Sequence, residues 1–372
     1  MKQRLPALDA LRGLIMVLMA LDHASLLLAR VHPFEMWNQP LPVYGSVSWF
    51  FTRWVTHLCA PGFFLLMGAG MALLESSRRS NGWSGGRVRR FFLLRGLVLV
   101  GISYLFEVAP MTLMPPVGMA AVAMSPVVLG VLVTLGLSMM LAGALTGLAA
   151  RWWFAIGAAA VLAPNVLLPW LGVERAQHTL ALVLLSPGQS SLVMSAYPVV
   201  PWFGICALGV GLGHLLRQDA ERTLRMALPA GLGLIALFAA VRAGGGFGNL
   251  RLAGGAGWMA WLTVVKYPPS LAFTSLMLGV DLVLLWLFHQ LGERFAALRR
   301  VLLVYGQAPL LFYITHFYLF GTVSMIAFRE HPAPQWLLYA LWLAGCALLY
   351  YPCLKFRCFK QRQPESSLWR ML

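Results

Sequence analysis

The sequence predicts an all-α polytopic membrane protein of about ten transmembrane helices, ten to eleven, with both termini in the cytoplasm. Three observations predict it. Hydrophobic residues make up 60% of the 372 and charged ones only 11%, where a soluble domain carries about 25% charged. Apolar runs of about 18 residues or more recur along the whole length, matching a hydrocarbon core about 30 Å thick. Lysine and arginine gather in alternate loops, which fixes an orientation.

The first span, 9–30, follows two basic residues and could be mistaken for a secretory signal. Asp9, Arg12, Asp22 and His23 interrupt its apolar run and no small-residue cleavage pattern follows, so it reads as a helix. The further spans are 47–74, 91–108, 127–147, 153–171, 197–216, 226–241, 269–289, 301–322 and 335–354. Gly231 and Gly233 interrupt the short span 226–241, and the apolar stretch 179–186 is too short to cross. Loops 108–126 and 242–268, the longest and richest in Gly, Pro and Met, are expected to dip into the bundle or cover it. The chain is expected to form a single transmembrane domain over 1–372.

This division puts nineteen of the 28 Lys and Arg in the N-terminus, 75–90, 148–152, 217–225, 290–300 and the C-terminal tail, against six in the opposite loops. The bias places both termini in the cytoplasm and accounts for the net charge of +16 without nucleic acid. Five cysteines lie without CxxC spacing, so neither a disulfide framework nor a zinc site is expected. No GxGxxG or P-loop opens a helix and no solenoid repeat appears.

Ionisable side chains within a membrane cost about 2.5–3.5 kcal/mol each on insertion scales, so each needs a reason. Arg12 and His23 are eleven positions apart, which brings them to within about 20° of a common helix face and about 16 Å apart. One polar stripe thus joins the cytoplasmic end to the outer half of the membrane, with Asp9 one turn before Arg12 and able to pair with it. Asp22 points about 100° away from His23, toward a neighbouring helix. His316 falls at a depth comparable with His23, with Tyr313 one turn before it, and His57 falls one turn after Arg53. Where these faces converge, three imidazoles and a phenol meet in a water-excluded bundle. A neutral imidazole there takes a proton from an acceptor or itself accepts an acyl group, while polar side chains also serve to hold helices together. Three histidines could bind a metal, but they lack close spacing, and no metal is expected. At the cytoplasmic face, RVRRFFLLRG carries Arg90 and Arg95, whose guanidinium forks suit the phosphates of a donor or of lipid headgroups.

Several stretches carry a family resemblance: RLPALDALRGL at the start, THLCAPGFFLLMGAG at 56–70, YPVVPWFGICALGVGLG at 197–213, KYPPSLAFTSLMLG at 266–279 and YGQAPLLFYITHF at 305–317. In this order they resemble the bacterial heparan-α-glucosaminide N-acetyltransferase-like proteins of the transmembrane acyl transferase superfamily. Arg12 and His23 also enclose ten residues, similar to the Arg-x10-His signature of the related family-3 acyltransferases. The resemblance implies transfer of an acetyl or other acyl group from cytoplasmic acyl-CoA, a donor substrate and no permanent cofactor, to a sugar or glycan at the outer face. It also implies a bacterial inner membrane.

The residues then expected to carry catalysis are His23, Arg12, Asp9, His57 and His316. Arg90 and Arg95 would meet the CoA phosphates, and Asp22 and Tyr313 the acceptor. Membrane lipid, acyl-CoA and the glycan are the expected partners, with a homodimer as a further option. Two other readings fit the same residues: a transporter or flippase for a small polar or lipid-linked solute, and a structural membrane protein whose 14 tryptophans serve as anchors.

Overall fold

A computed structural model describes residues 5–110, 125–291 and 295–364. Helix α1, Pro6–Ala24, starts with proline in its first turn, where no amide donor is missed, and continues as a π turn over Ser25–Ala29. It stops at Arg30, whose φ of 55° is left-handed; the Arg30 guanidinium donates to the carbonyls of Phe328 and Arg329 and fastens this end. Helices α2 (Val47–Thr56) and α3 (Cys59–Ser80) form one long span with a break at His57 and Leu58. Pro61 has no amide to give the carbonyl four residues back, which accounts for the break.

The chain continues through α4 (Gly85–Ser103, ending in a π turn to Val108), α5 (Val131–Ala144), α6 (Ala150–Arg175), the six-residue α7 (Thr179–Leu184), α8 (Val199–Gln218) and α9 (Ala220–Gly244). After the short α10 (Trp258–Leu262) come α11 (Leu271–Gln290), α12 (Ala296–Gln307), α13 (Pro309–Ala327) and α14 (Gln335–Arg362). Among the described residues nine helices are long and apolar enough to cross a membrane. The chain is therefore an integral, all-α membrane protein.

The expected spans correspond to these helices with two differences. Span 127–147 is a 14-residue helix preceded by a strand, β1 (Val127–Leu129). Span 301–322 is two helices, α12 and α13, because Ala308 leaves the helical region (φ −127°, ψ 45°) immediately before Pro309, whose ring disfavours helix in the residue ahead of it. Most of loop 108–126 lies outside the described residues. Of loop 242–268, residues 263–268 are buried.

Two features position the interior. β1 pairs in parallel with β3 (Val193–Ser195), itself antiparallel to β2 (Gly188–Gln189), and the Leu129 carbonyl accepts from Tyr197 N–H at 3.0 Å. Tyr197 is thereby held at the start of α8. Segment 263–270 meets the loop after α1: Lys266 N–H and Tyr267 N–H both donate to the Glu35 carbonyl, at 3.0 and 3.1 Å, and Trp37 N–H donates to Tyr267. Such pairing lets irregular backbone lie inside the bundle with its polar groups satisfied.

Helix α1 runs hard against α12. A Cβ at Gly13 would strike the Leu302 carbonyl, and one at Gly306 the Asp9 carbonyl. Close backbone approach of this kind is how membrane helices gain packing without a hydrophobic drive. We expect Gly306→Ala to push α12 away and lower stability by about 1–3 kcal/mol, read as a reduced thermal midpoint in detergent, with Gly321→Ala, where a Cβ meets nothing within 4 Å, as the neutral control.

Candidate functional site

The last turn of α1 brings His23 against α13. His23 Nδ1 lies 2.7 Å from His316 Nε2, and His316 Nδ1 lies 2.7 Å from the Phe312 carbonyl oxygen. The rings are nearly coplanar, 5° apart with centroids at 5.0 Å, the layout of an in-plane N–H···N bond. These contacts determine which nitrogens carry hydrogen. A carbonyl only accepts, so His316 Nδ1 is the protonated nitrogen; its Nε2 is then a lone pair, because a second proton would leave an unpaired cation in a residue with 0% exposure. His23 Nδ1–H therefore donates to His316, and His23 Nε2 is left as a bare lone pair. Phe317 and Tyr313 stand edge-on to the His23 ring, at 5.4 and 6.0 Å between centroids.

Asp22, on the adjacent face, turns to α2. Arg53 grips Glu35 with two parallel bonds, Nε to Oε1 at 3.0 Å and Nη2 to Oε2 at 2.7 Å, and reaches Asp22 Oδ1 with Nη1 at 2.8 Å. Thr56 donates to the same Asp22 oxygen, His32 Nε2 lies 3.1 Å from the other, and Tyr44 donates to Glu35. Glu35 is wholly buried and Arg53 is 4% exposed, while Asp22 opens onto a cavity, so one guanidinium pairs with a buried carboxylate and a cavity-lining one. His57 Nε2 stands 3.3 Å from Glu35 Oε2.

One cavity of about 890 Å³ connects this deep end to the opposite face of the bundle. Asp22, His23, Thr56, Tyr197, Lys266 and Tyr313 line the deep end; Arg12, Arg78, Arg95, Arg217, Arg357 and Lys360 line the other, with Asp9 the carboxylate among them. From Leu5 to His23, both lining residues, α1 alone spans about 27 Å at its rise per residue. Arg12 Nη1 donates to Asp9 Oδ1 at 2.9 Å and to the Gly306 carbonyl, and Gln307 donates to the second Asp9 oxygen.

The structure brings Asp9, Arg12, Asp22, His23, Tyr313 and Arg95 to this one cavity, with His316 directly behind His23. It does not bring three imidazoles to the cavity: His57 is not among the lining residues and stands against Glu35 instead. Of the two arginines expected to meet donor phosphates, Arg95 lines the cavity and Arg90 does not. Arg90 is exposed, whereas Arg95, five residues on and so on another face of α4, points inward.

Sequence reasoning did not single out Glu35, His32, Lys266, Tyr197 or Glu107. Glu107, at the end of α4, accepts from both Tyr313 and Ser103. A usable signal existed for the two carboxylates. Only 12 acidic residues occur in the chain, and one standing far from the basic loops is conspicuous.

Two titratable members of the cluster sit in the connection 30–46. Burial pulls the His32 imidazole below its ordinary 6.5, Arg53 adds to this and Asp22 opposes it. Burial alone would raise the Glu35 carboxyl, but Arg53 and His57 reverse that and hold it well below 4.5. Both groups hold protons less firmly folded than unfolded, so their stabilisation is complete above the unfolded values and is lost as pH falls. We expect the thermal midpoint to drop between about pH 7 and 5, where the unfolded His32 protonates first, and His32→Gln to flatten that drop.

Residues 4–243 match the family model described as heparan-alpha-glucosaminide N-acetyltransferase, catalytic. No curated protein matches the chain.

Proposed function

Because the chain belongs to the heparan-alpha-glucosaminide N-acetyltransferase catalytic family, a family of membrane acetyltransferases, we propose that it moves an acetyl group from acyl-CoA to an amino or hydroxyl group of a sugar. The basic face is taken as cytoplasmic and the deep end as the acceptor side, in a bacterial inner membrane. One observation carries the reading: the bare Nε2 of His23 and a basic entrance share a single cavity.

In this reading Arg78, Arg95, Arg217, Arg357 and Lys360 receive the phosphates of the donor, for which guanidinium and ammonium groups are suited. The Asp9–Arg12 pair flanks the pantetheine arm, and the thioester reaches His23. Its Nε2 removes a proton from the acceptor as the new bond to the acetyl carbon forms; the carbon–sulfur bond then breaks and the proton passes to the departing thiolate. His316 orients His23 through the Nδ1 bond. Tyr313 and Asp22 meet acceptor hydroxyls.

The test is label transfer from radiolabelled acetyl-CoA to a panel of sugars, glucosamine included, by the purified chain in nanodiscs. Label on a sugar, formed only when both substrates are present, is the expected result. Solute uptake into proteoliposomes without acyl-CoA, and no labelled sugar, would establish the transporter reading instead.

A further inference from the structure

Lys266 is 2% exposed and lines the deep end of the cavity beside His23, Asp22 and Thr56. Among the described residues its ammonium makes no ion pair; what it contacts is the face of Tyr267, 5.2 Å from the ring centroid. The neighbouring carboxylates are already engaged. Asp22 Oδ1 and both Glu35 oxygens take bonds from Arg53, Thr56 and Tyr44, and His32 Nε2 lies against Asp22 Oδ2. Its backbone is fixed, with the Lys266 amide on the Glu35 carbonyl at 3.0 Å. The Asp22 carboxylate offsets the charge of the ammonium through space, but among the described residues no protein oxygen takes a hydrogen bond from it, so its donors are free for an anionic oxygen that enters the cavity.

Acyl transfer at His23 generates such an anion. As the acceptor attacks the thioester, the carbonyl electron pair moves onto oxygen, and it returns when the carbon–sulfur bond breaks and the thiolate leaves. We propose that Lys266 is a catalytic residue whose ammonium donates to this oxyanion. The inference rests on the acyl-transfer reading above and adds to it the group that stabilises the transition state.

Two donor analogues test it without an acceptor: acetonyl-CoA, a ketone thioether, and trifluoroacetonyl-CoA, which readily forms a tetrahedral adduct at the same carbon. The full-length chain should bind the trifluoro analogue more tightly by about 100-fold, as sites built for an oxyanion do. Lys266→Met should erase that preference while acetonyl-CoA binding stays within about twofold, and Lys266→Arg, which keeps the charge, should restore part of it. A preference that persists in Lys266→Met overturns the proposal and leaves the donor reading standing. So does an effect confined to the KM of carboxylate-bearing sugars, which would make Lys266 an acceptor clamp. Failure of the wild type to bind either analogue sinks the donor reading, and the proposal with it.

Discussion

Replacing His23 by alanine is expected to lower kcat for acetyl transfer by about 10²–10⁴-fold, the range for removal of a positioned general base, with donor affinity unchanged. The size of the effect follows from the hydrogen-bond chain running Phe312 carbonyl, His316, His23, which leaves a single lone pair aimed at the cavity. His316→Phe keeps an aromatic ring of similar size but removes the acceptor for His23 Nδ1–H. Its rate should fall by about 10–100-fold, as for loss of an orienting partner. A distinctive sign would accompany it: the acidic limb of the pH–rate profile should move, because the imidazole at His23 no longer has its tautomer imposed. Steady-state transfer with labelled acetyl-CoA, and CoA binding by calorimetry, separate these outcomes. Equal activity of His23→Ala and wild type would remove the base from the account.

The second large effect is on stability. Arg53→Met strands the fully buried Glu35 carboxylate without the guanidinium that grips it and takes from the half-buried Asp22 its directly bonded counter-charge. Removing one partner of a buried ion pair costs about 3–5 kcal/mol, and here one partner serves two acids. The variant should lose most of its thermal resistance in detergent and elute as aggregate. Arg53→Lys should recover little, because an ammonium cannot make the two parallel bonds to Glu35 while also reaching Asp22. A variant Arg53→Met as stable as wild type would show that Asp22 and Glu35 are not held as a charged cluster.

The difference between what could and could not be read in the chain has physical causes. Membrane spans were legible because lipid demands long apolar runs, and these survive any tertiary arrangement. The polar stripe of α1 was legible for a related reason: Arg12 and His23 share a face by helical periodicity alone, and both line the cavity. The pairing of His23 with His316 depends on how α13 crosses α1, and depth was the only hint. Glu35, His32 and Lys266 lie in irregular segments 30–46 and 263–270, whose mutual hydrogen bonds are tertiary and carry no period. The break at Ala308 was readable and was passed over: an apolar run continues through it, yet Pro309 marks it. His57 sits in the break ahead of Pro61, which the continuous hydropathy of that segment conceals.

A structure with acetyl-CoA bound would examine the shared cavity most directly. The account predicts phosphates among Arg78, Arg217, Arg357 and Lys360, the pantetheine arm passing Arg12, and the thioester carbon about 3–3.5 Å from His23 Nε2. A donor seated with its thioester at the basic entrance, or on another face of the bundle remote from His23, would contradict it.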